Sequence, residues 1–202
     1  MASMEPQDLA RAEQRHPTWE LALLYPDQGC WSQEDYFALD VGRHVEYNAG
    51  YLEFQPMPDA LHQAIVLFLV NALRALHRAG RALMAPFPVR LAEQKFREPD
   101  VVFMLGSHAH RQHDTYWDGA DLVMEVVSDS NRKHDLVTKR AEYERAGIAE
   151  YWIVDPAQGS IAVLAIEAGA YQVCGQYVAG QTARSKLLEG LAISVDEVLA
   201  AQ

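Results

Sequence analysis

At 202 residues, half of them hydrophobic, the chain is long enough for one domain with a substantial core. Its 28 acidic side chains outnumber 17 basic ones, and the resulting net charge of −11 excludes a broad, uniformly basic nucleic-acid surface. The longest apolar run, AIVLFLV from Ala64, is far too short to cross a bilayer, and no basic and apolar leader opens the chain. A cytoplasmic protein with no membrane partner is expected, its widely separated Cys30 and Cys174 reduced.

In chain order, Ser32 followed three residues later by Asp35 opens a short helix with a variant of the capping box. HVEYNAGYLEFQP reads as a hairpin folding about Asn48-Ala49-Gly50. Asp59 caps a long helix to about Ala79, closed by Gly80, with His62, Ile65, Val66, Leu69, Leu73 and Leu76 on one face. RALMAPFPVRLAE, EPDVVFML and DLVMEVV read as strands. A helix from Arg132 to Ala146, closed by Gly147, leads to the buried strand AEYWIVD. SIAVLAIEAGAYQVCGQYVAG then extends the sheet antiparallel, turning at Ala168-Gly169. The order predicts an α/β (α+β) fold built on one mixed sheet with helices on its faces.

Charge is unevenly spread along this order. Residues 61–98 carry 6 basic and 2 acidic side chains, and residues 131–147 carry 5 and 3, so basic segments flank DLVMEVV. The pattern suits local steering of a polyanion, and a solvated helix face accounts for it equally well. If the basic helix meets phosphate, Arg132, Lys133, Arg140 and Arg145 are the residues to do so.

Inside the strands, one residue is out of place. Glu125 lies among Leu122, Val123, Met124, Val126 and Val127 with no basic neighbour in sequence, where an unpaired carboxylate costs several kcal/mol or takes up a proton. Asp100 opens the preceding strand after Pro99. Two carboxylates aimed into one cleft repel unless a cation lies between them, and a hard divalent ion, Mg²⁺ or Mn²⁺, suits such ligands. Lys139, one helical turn beyond Asp135, is a further partner for Glu125. The competing reading is structural: Asp100 caps a strand and Glu125 forms a buried ion pair with Lys139.

Three stretches together carry a resemblance: EPD at 98–100, VEYNAGYLEFQPMPDALH at 45–62, and DLVMEVVSDSNRKHDLVTKRAEYERAGIAEYWIVDP at 121–156. They resemble the Uma-two family of restriction-type endonucleases, within the PD-(D/E)xK nuclease superfamily, and the similarity runs from about Trp31 to the C-terminus. The resemblance implies a restriction-endonuclease-like αβββαβ core at 31–202, with an added hairpin, C-terminal antiparallel strands and an extension at 1–30. Asp100 and Glu125 become metal ligands, and Lys139 stands in for the lysine that the superfamily places where Val127 is found here. Glu46 and His62 become accessory residues, and Asp135, at i,i+4 spacing, is placed to orient Lys139. The implied activity is Mg²⁺- or Mn²⁺-dependent hydrolysis of phosphodiester bonds in DNA by a homodimer. The alternative is an inactive or partner-dependent nucleic-acid-binding or interaction module with the same fold. If metal and Lys139 together neutralise Glu125, Glu125→Gln is expected to leave the metal-free protein as stable as before. HAHRQH at 108–113 reads as a solvated polar loop, and Tyr143, Tyr151 and Trp152 as core aromatics, with a dimer contact the alternative for Trp152.

Overall fold

The computed structural model describes residues 25–39, 44–76, 80–128, 132 and 134–201, with backbone alone at 134 and 135. Residues 1–24 of the expected extension, Lys133 and the Asp135 side chain lie outside the described residues. Helix α1 spans Gln33–Ala38, and its capping box is formed in both directions: Ser32 Oγ accepts from the Asp35 amide, and the Asp35 carboxylate accepts from the Ser32 amide, each at 3.0 Å. Strands β1 (Val45–Asn48) and β2 (Tyr51–Phe54) make the hairpin. Its two turn residues, Ala49 and Gly50, have φ of 48° and 89°, the conformation that matches a two-residue turn to the strand twist. At Gly50 a Cβ would fall 2.5 Å from the Gly29 carbonyl oxygen, so only glycine fits there.

Helix α2 (Ala60–Arg74) is N-capped by Asp59, which accepts from the His62 amide at 2.8 Å. Its buried stripe is Ile65, Val66, Leu69, Val70 and Leu73, and each fully buried aliphatic chain of this kind contributes about 1.5–3 kcal/mol. The helix ends at Arg74, earlier than the apolar pattern suggests, and Gly80 opens the next strand instead of closing the helix.

Two strands lie where RALMAPFPVRLAE suggests one: β3 (Gly80–Met84) and β4 (Val89–Ala92) belong to different sheets. Pro86 and Pro88 lack the amide hydrogens a continuing ladder needs, so the chain leaves one sheet and joins the other. The remaining strands are β5 (Lys95–Arg97), β6 (Val101–Leu105), β7 (Trp117–Asp118), β8 (Leu122–Val126), β9 (Glu150–Asp155), β10 (Ser160–Glu167), β11 (Ala170–Val178), β12 (Thr182–Arg184) and β13 (Ala192–Ser194). The larger sheet runs β11-β10-β9-β8-β6-β3, with the β8–β9 pair parallel and the others antiparallel. A π-helical segment, His134–Lys139, and helix α3, Arg140–Arg145, make the crossover that a parallel pair requires. This is the αβββαβ core. The expectation of a single mixed sheet is corrected, because β2-β1-β5-β4-β7 form a second, five-stranded sheet and β12–β13 a small third one.

Strand alternation divides the core between the two faces of the larger sheet. Val101, Phe103, Leu122, Met124, Val126 and Trp152 pack with α2. Val102, Met104, Val123, Val127 and Tyr151 pack on the other face with Tyr143 and Ile148. Trp152, on the α2 face, is fully buried, a core aromatic and not a dimer contact. Among the described residues no helix is long and apolar enough to cross a membrane.

Candidate active site

The register between β6 and β8 sets Val101 against Met124. One step beyond that pair in each chain direction stand Asp100, just before β6, and Glu125, inside β8. Both line a cleft of about 550 Å³ together with His44, His62, Glu98 and Lys139.

Asp100 is held through a single oxygen. Its Oδ2 accepts from the Val126 amide at 2.8 Å and lies 3.1 Å from His62 Nε2. An ionised carboxylate only accepts, so Nε2 carries the hydrogen in this contact. Burial pushes the Asp100 carboxyl up, but the His62 hydrogen bond and charge, the Lys139 charge and the Val126 amide outweigh it and hold it below the usual range.

Glu125 is 1% exposed and Lys139 5%. Lys139 Nζ donates to Glu125 Oε2 at 2.9 Å, and the Tyr143 hydroxyl donates to Oε1. Each carboxylate oxygen therefore has a partner, and this answers how an apolar strand tolerates a carboxylate. The π-helical segment ends on Lys139, and α3 begins immediately after it. Tyr143 reads from sequence as core filling, since nothing in an amphipathic pattern reveals where a phenolic hydroxyl points.

Two further cleft residues escape sequence reasoning. Burial, reinforced by the charge of Glu46, pushes Glu98 up to about 7 against the Val45 amide and the Tyr36 hydroxyl. His44 is pushed below its ordinary value chiefly by burial, against the pull of Asp100. Glu98 stands in the EPD motif itself, a signal that could have drawn notice.

Other sequence candidates lie apart from the cleft wall. Glu46, fully buried, accepts from Arg97 Nη1 and Gln55 Nε2 at 2.8 Å each, and from the Glu98 amide at 3.2 Å. Arg132 forms a two-pronged pair with Asp155, while Arg140 Nη2 reaches the Tyr171 carbonyl at 3.4 Å. Arg145 folds back onto the Ala141 carbonyl at 3.0 Å. HAHRQH is not a plain loop: a 3₁₀ helix spans Gly106–Arg111, and His108 Nδ1 lies 2.7 Å from Asp121 Oδ1.

The family described as "Putative restriction endonuclease" (Uma2) matches residues 33–196. The chain belongs to the Uma2 family. Among solved structures, the chain is similar to a crystal structure titled as "a putative nuclease belonging to DUF820" from Anabaena variabilis ATCC 29413, with a TM-score of 0.68. That likeness covers 87% of this chain and 98% of the other at 16% identity, and it shows a shared fold. No curated protein matches the chain. Among the described residues of this Uma2 chain, no group of three or more His, Cys, Asp or Glu is placed to hold a metal ion. The donor chemistry of the cleft nevertheless fits a hard divalent cation, because magnesium is commonly held by one or two carboxylates with water and substrate oxygens completing its shell.

Proposed function

We propose that this Uma2 protein is a divalent-metal-dependent endonuclease that hydrolyses phosphodiester bonds in DNA, with Asp100, Glu125 and Lys139 as its catalytic residues. The observation that carries the reading is that Asp100, just before β6, and Glu125, in the neighbouring strand β8, line one cleft together with Lys139. Asp100 and Glu125 would hold Mg²⁺ or Mn²⁺, which polarises a phosphodiester and lowers the pKa of a bound water.

The chain's own residues prepare the cleft for that chemistry. His62 and the Val126 amide fix the Asp100 carboxylate through Oδ2. Tyr143 and Lys139 fix Glu125 from both oxygens, and the Lys139 ammonium supplies positive charge where negative charge grows on phosphorus. Cleft charge supports a cation requirement as well. Asp59, Asp100 and Glu125 line it against Lys139 and His62, so even with both of these charged a nucleic-acid backbone without a counter-cation meets net repulsion.

The test is a cleavage assay with supercoiled, linear and single-stranded DNA and RNA, in Mg²⁺, Mn²⁺ and excess EDTA. The reading expects DNA cleavage that EDTA abolishes and that Asp100→Asn removes. Metal-free cleavage, or equal cleavage by the variant, would discard it. Binding of DNA with no cleavage under any condition would favour the inactive or partner-dependent module.

A further inference from the structure

Lys139, Glu142 and Tyr143 lie at i, i+3 and i+4 and so share one face of the helical segment that crosses from β8 to β9. Two of the three grip Glu125, as described. Glu142 points to the other sheet: Arg97 of β5 donates Nε to Glu142 Oε2 at 2.7 Å and Nη2 to Oε1 at 2.9 Å. Lys95 Nζ adds a contact to Oε1 at 2.7 Å. This is a bidentate guanidinium–carboxylate pair, with Arg97 1% exposed and Glu142 6%. Burial alone would raise Glu142, yet its hydrogen bonds to Arg97 and Lys95 hold it down at about 2.

Arg97 also reaches the other half of the site. Its Nη1 donates to Glu46, whose second oxygen accepts the Glu98 amide at 3.2 Å, two residues before Asp100. One buried guanidinium thus links the helix holding Glu125 to the backbone that leads into Asp100.

We infer that Arg97, Glu142, Glu46 and Tyr143 form a positioning unit, which sets Lys139 and both carboxylates relative to one another. Its relevance to catalysis rests on the nuclease reading of the cleft, but the geometry it fixes does not. Glu46 thereby acts through Arg97 and the Glu98 amide, and not as a metal ligand. Removing the charge of Glu142 loosens the grip of the helix on Glu125, although Glu142 touches no cleft residue in its two bonds to Arg97. A hydrogen-bonded outer partner of this kind typically changes metal affinity or activity by about 10–100-fold.

The test uses the full chain and Glu142→Gln, Arg97→Lys and Tyr143→Phe, the last keeping the ring and removing only the hydroxyl. Metal-free protein is acylated with an amine-reactive ester, and the labelling of Lys139 is followed by mass spectrometry against exposed Lys186. Amide exchange in β8 and β9 is read in parallel, and Mn²⁺ binding is measured by calorimetry. The inference expects Lys139 labelling to rise several-fold in Glu142→Gln and Tyr143→Phe, while β8 and β9 amides keep their wild-type exchange. Unchanged Lys139 labelling would overturn it, as would a rise matched by faster exchange throughout both strands, which marks general loosening. Where the wild type binds Mn²⁺, its dissociation constant should rise about 10–100-fold in Glu142→Gln. A wild type that binds no Mn²⁺ discards the nuclease reading, and the labelling then decides the positioning unit alone.

Discussion

Lys139 and Glu125 form a buried ion pair at 2.9 Å, with the Tyr143 hydroxyl on the second carboxylate oxygen. Glu125 is thus compensated by the protein itself. The expectation that Glu125→Gln leaves the metal-free protein as stable as wild type does not survive this geometry, because Gln would leave the Lys139 ammonium buried opposite a neutral amide. The variant should lose about 3 kcal/mol of stability in the absence of metal, at the low end for breaking a buried pair, since Gln still offers an oxygen. Urea unfolding in EDTA measures this, and a loss below about 1 kcal/mol would mean that the pair contributes little.

Glu98 predicts a pH dependence with a definite sign. Its carboxyl sits at about 7 in the folded state against 4.5 for an ordinary glutamate. Between those values the folded state binds more protons than the unfolded one, so its contribution is full below about 4.5 and lost as pH rises through 7. Glu98→Gln removes that loss. The variant should gain up to about 3 kcal/mol relative to wild type at pH 8 compared with pH 4, as each pKa unit corresponds to about 1.4 kcal/mol. Thermal unfolding across that range checks it, and a wild-type/variant difference constant with pH contradicts it.

The basic helix separates into two behaviours. Arg132 is already engaged by Asp155, whereas Arg140 makes a single long bond to the Tyr171 carbonyl. Arg140→Ala should therefore lower the dependence of log K on log salt for DNA binding by about one, and Arg132→Ala by much less. Fluorescence anisotropy at several salt concentrations decides, and an unchanged slope for Arg140→Ala assigns that residue to a solvated face.

What could be read from the chain follows from the physics of each signal. The β6 and β8 strands were legible because doubly covered strands are continuous apolar runs, and a carboxylate inside one stands out. The β1–β2 hairpin was legible from Asn48-Ala49-Gly50, whose turn demands a left-handed backbone. By contrast, β5 and β7 are three and two residues long, too short for any periodicity to register. The second sheet they belong to was hidden with them. The Arg97–Glu142 pair joins residues 45 apart, and no local pattern announces it. Tyr143 was visible as a core aromatic, but its hydroxyl's partner is a property of packing alone.

The central claim is that Asp100 and Glu125 share one divalent ion. Calorimetric titration of Mn²⁺ into the wild type and into Asp100→Asn tests it most directly. Asn keeps size and an oxygen for the Val126 amide while removing the negative charge. The account predicts a saturable binding heat in the wild type and none in the variant at the same concentrations. The same heat and the same affinity in both proteins would contradict it.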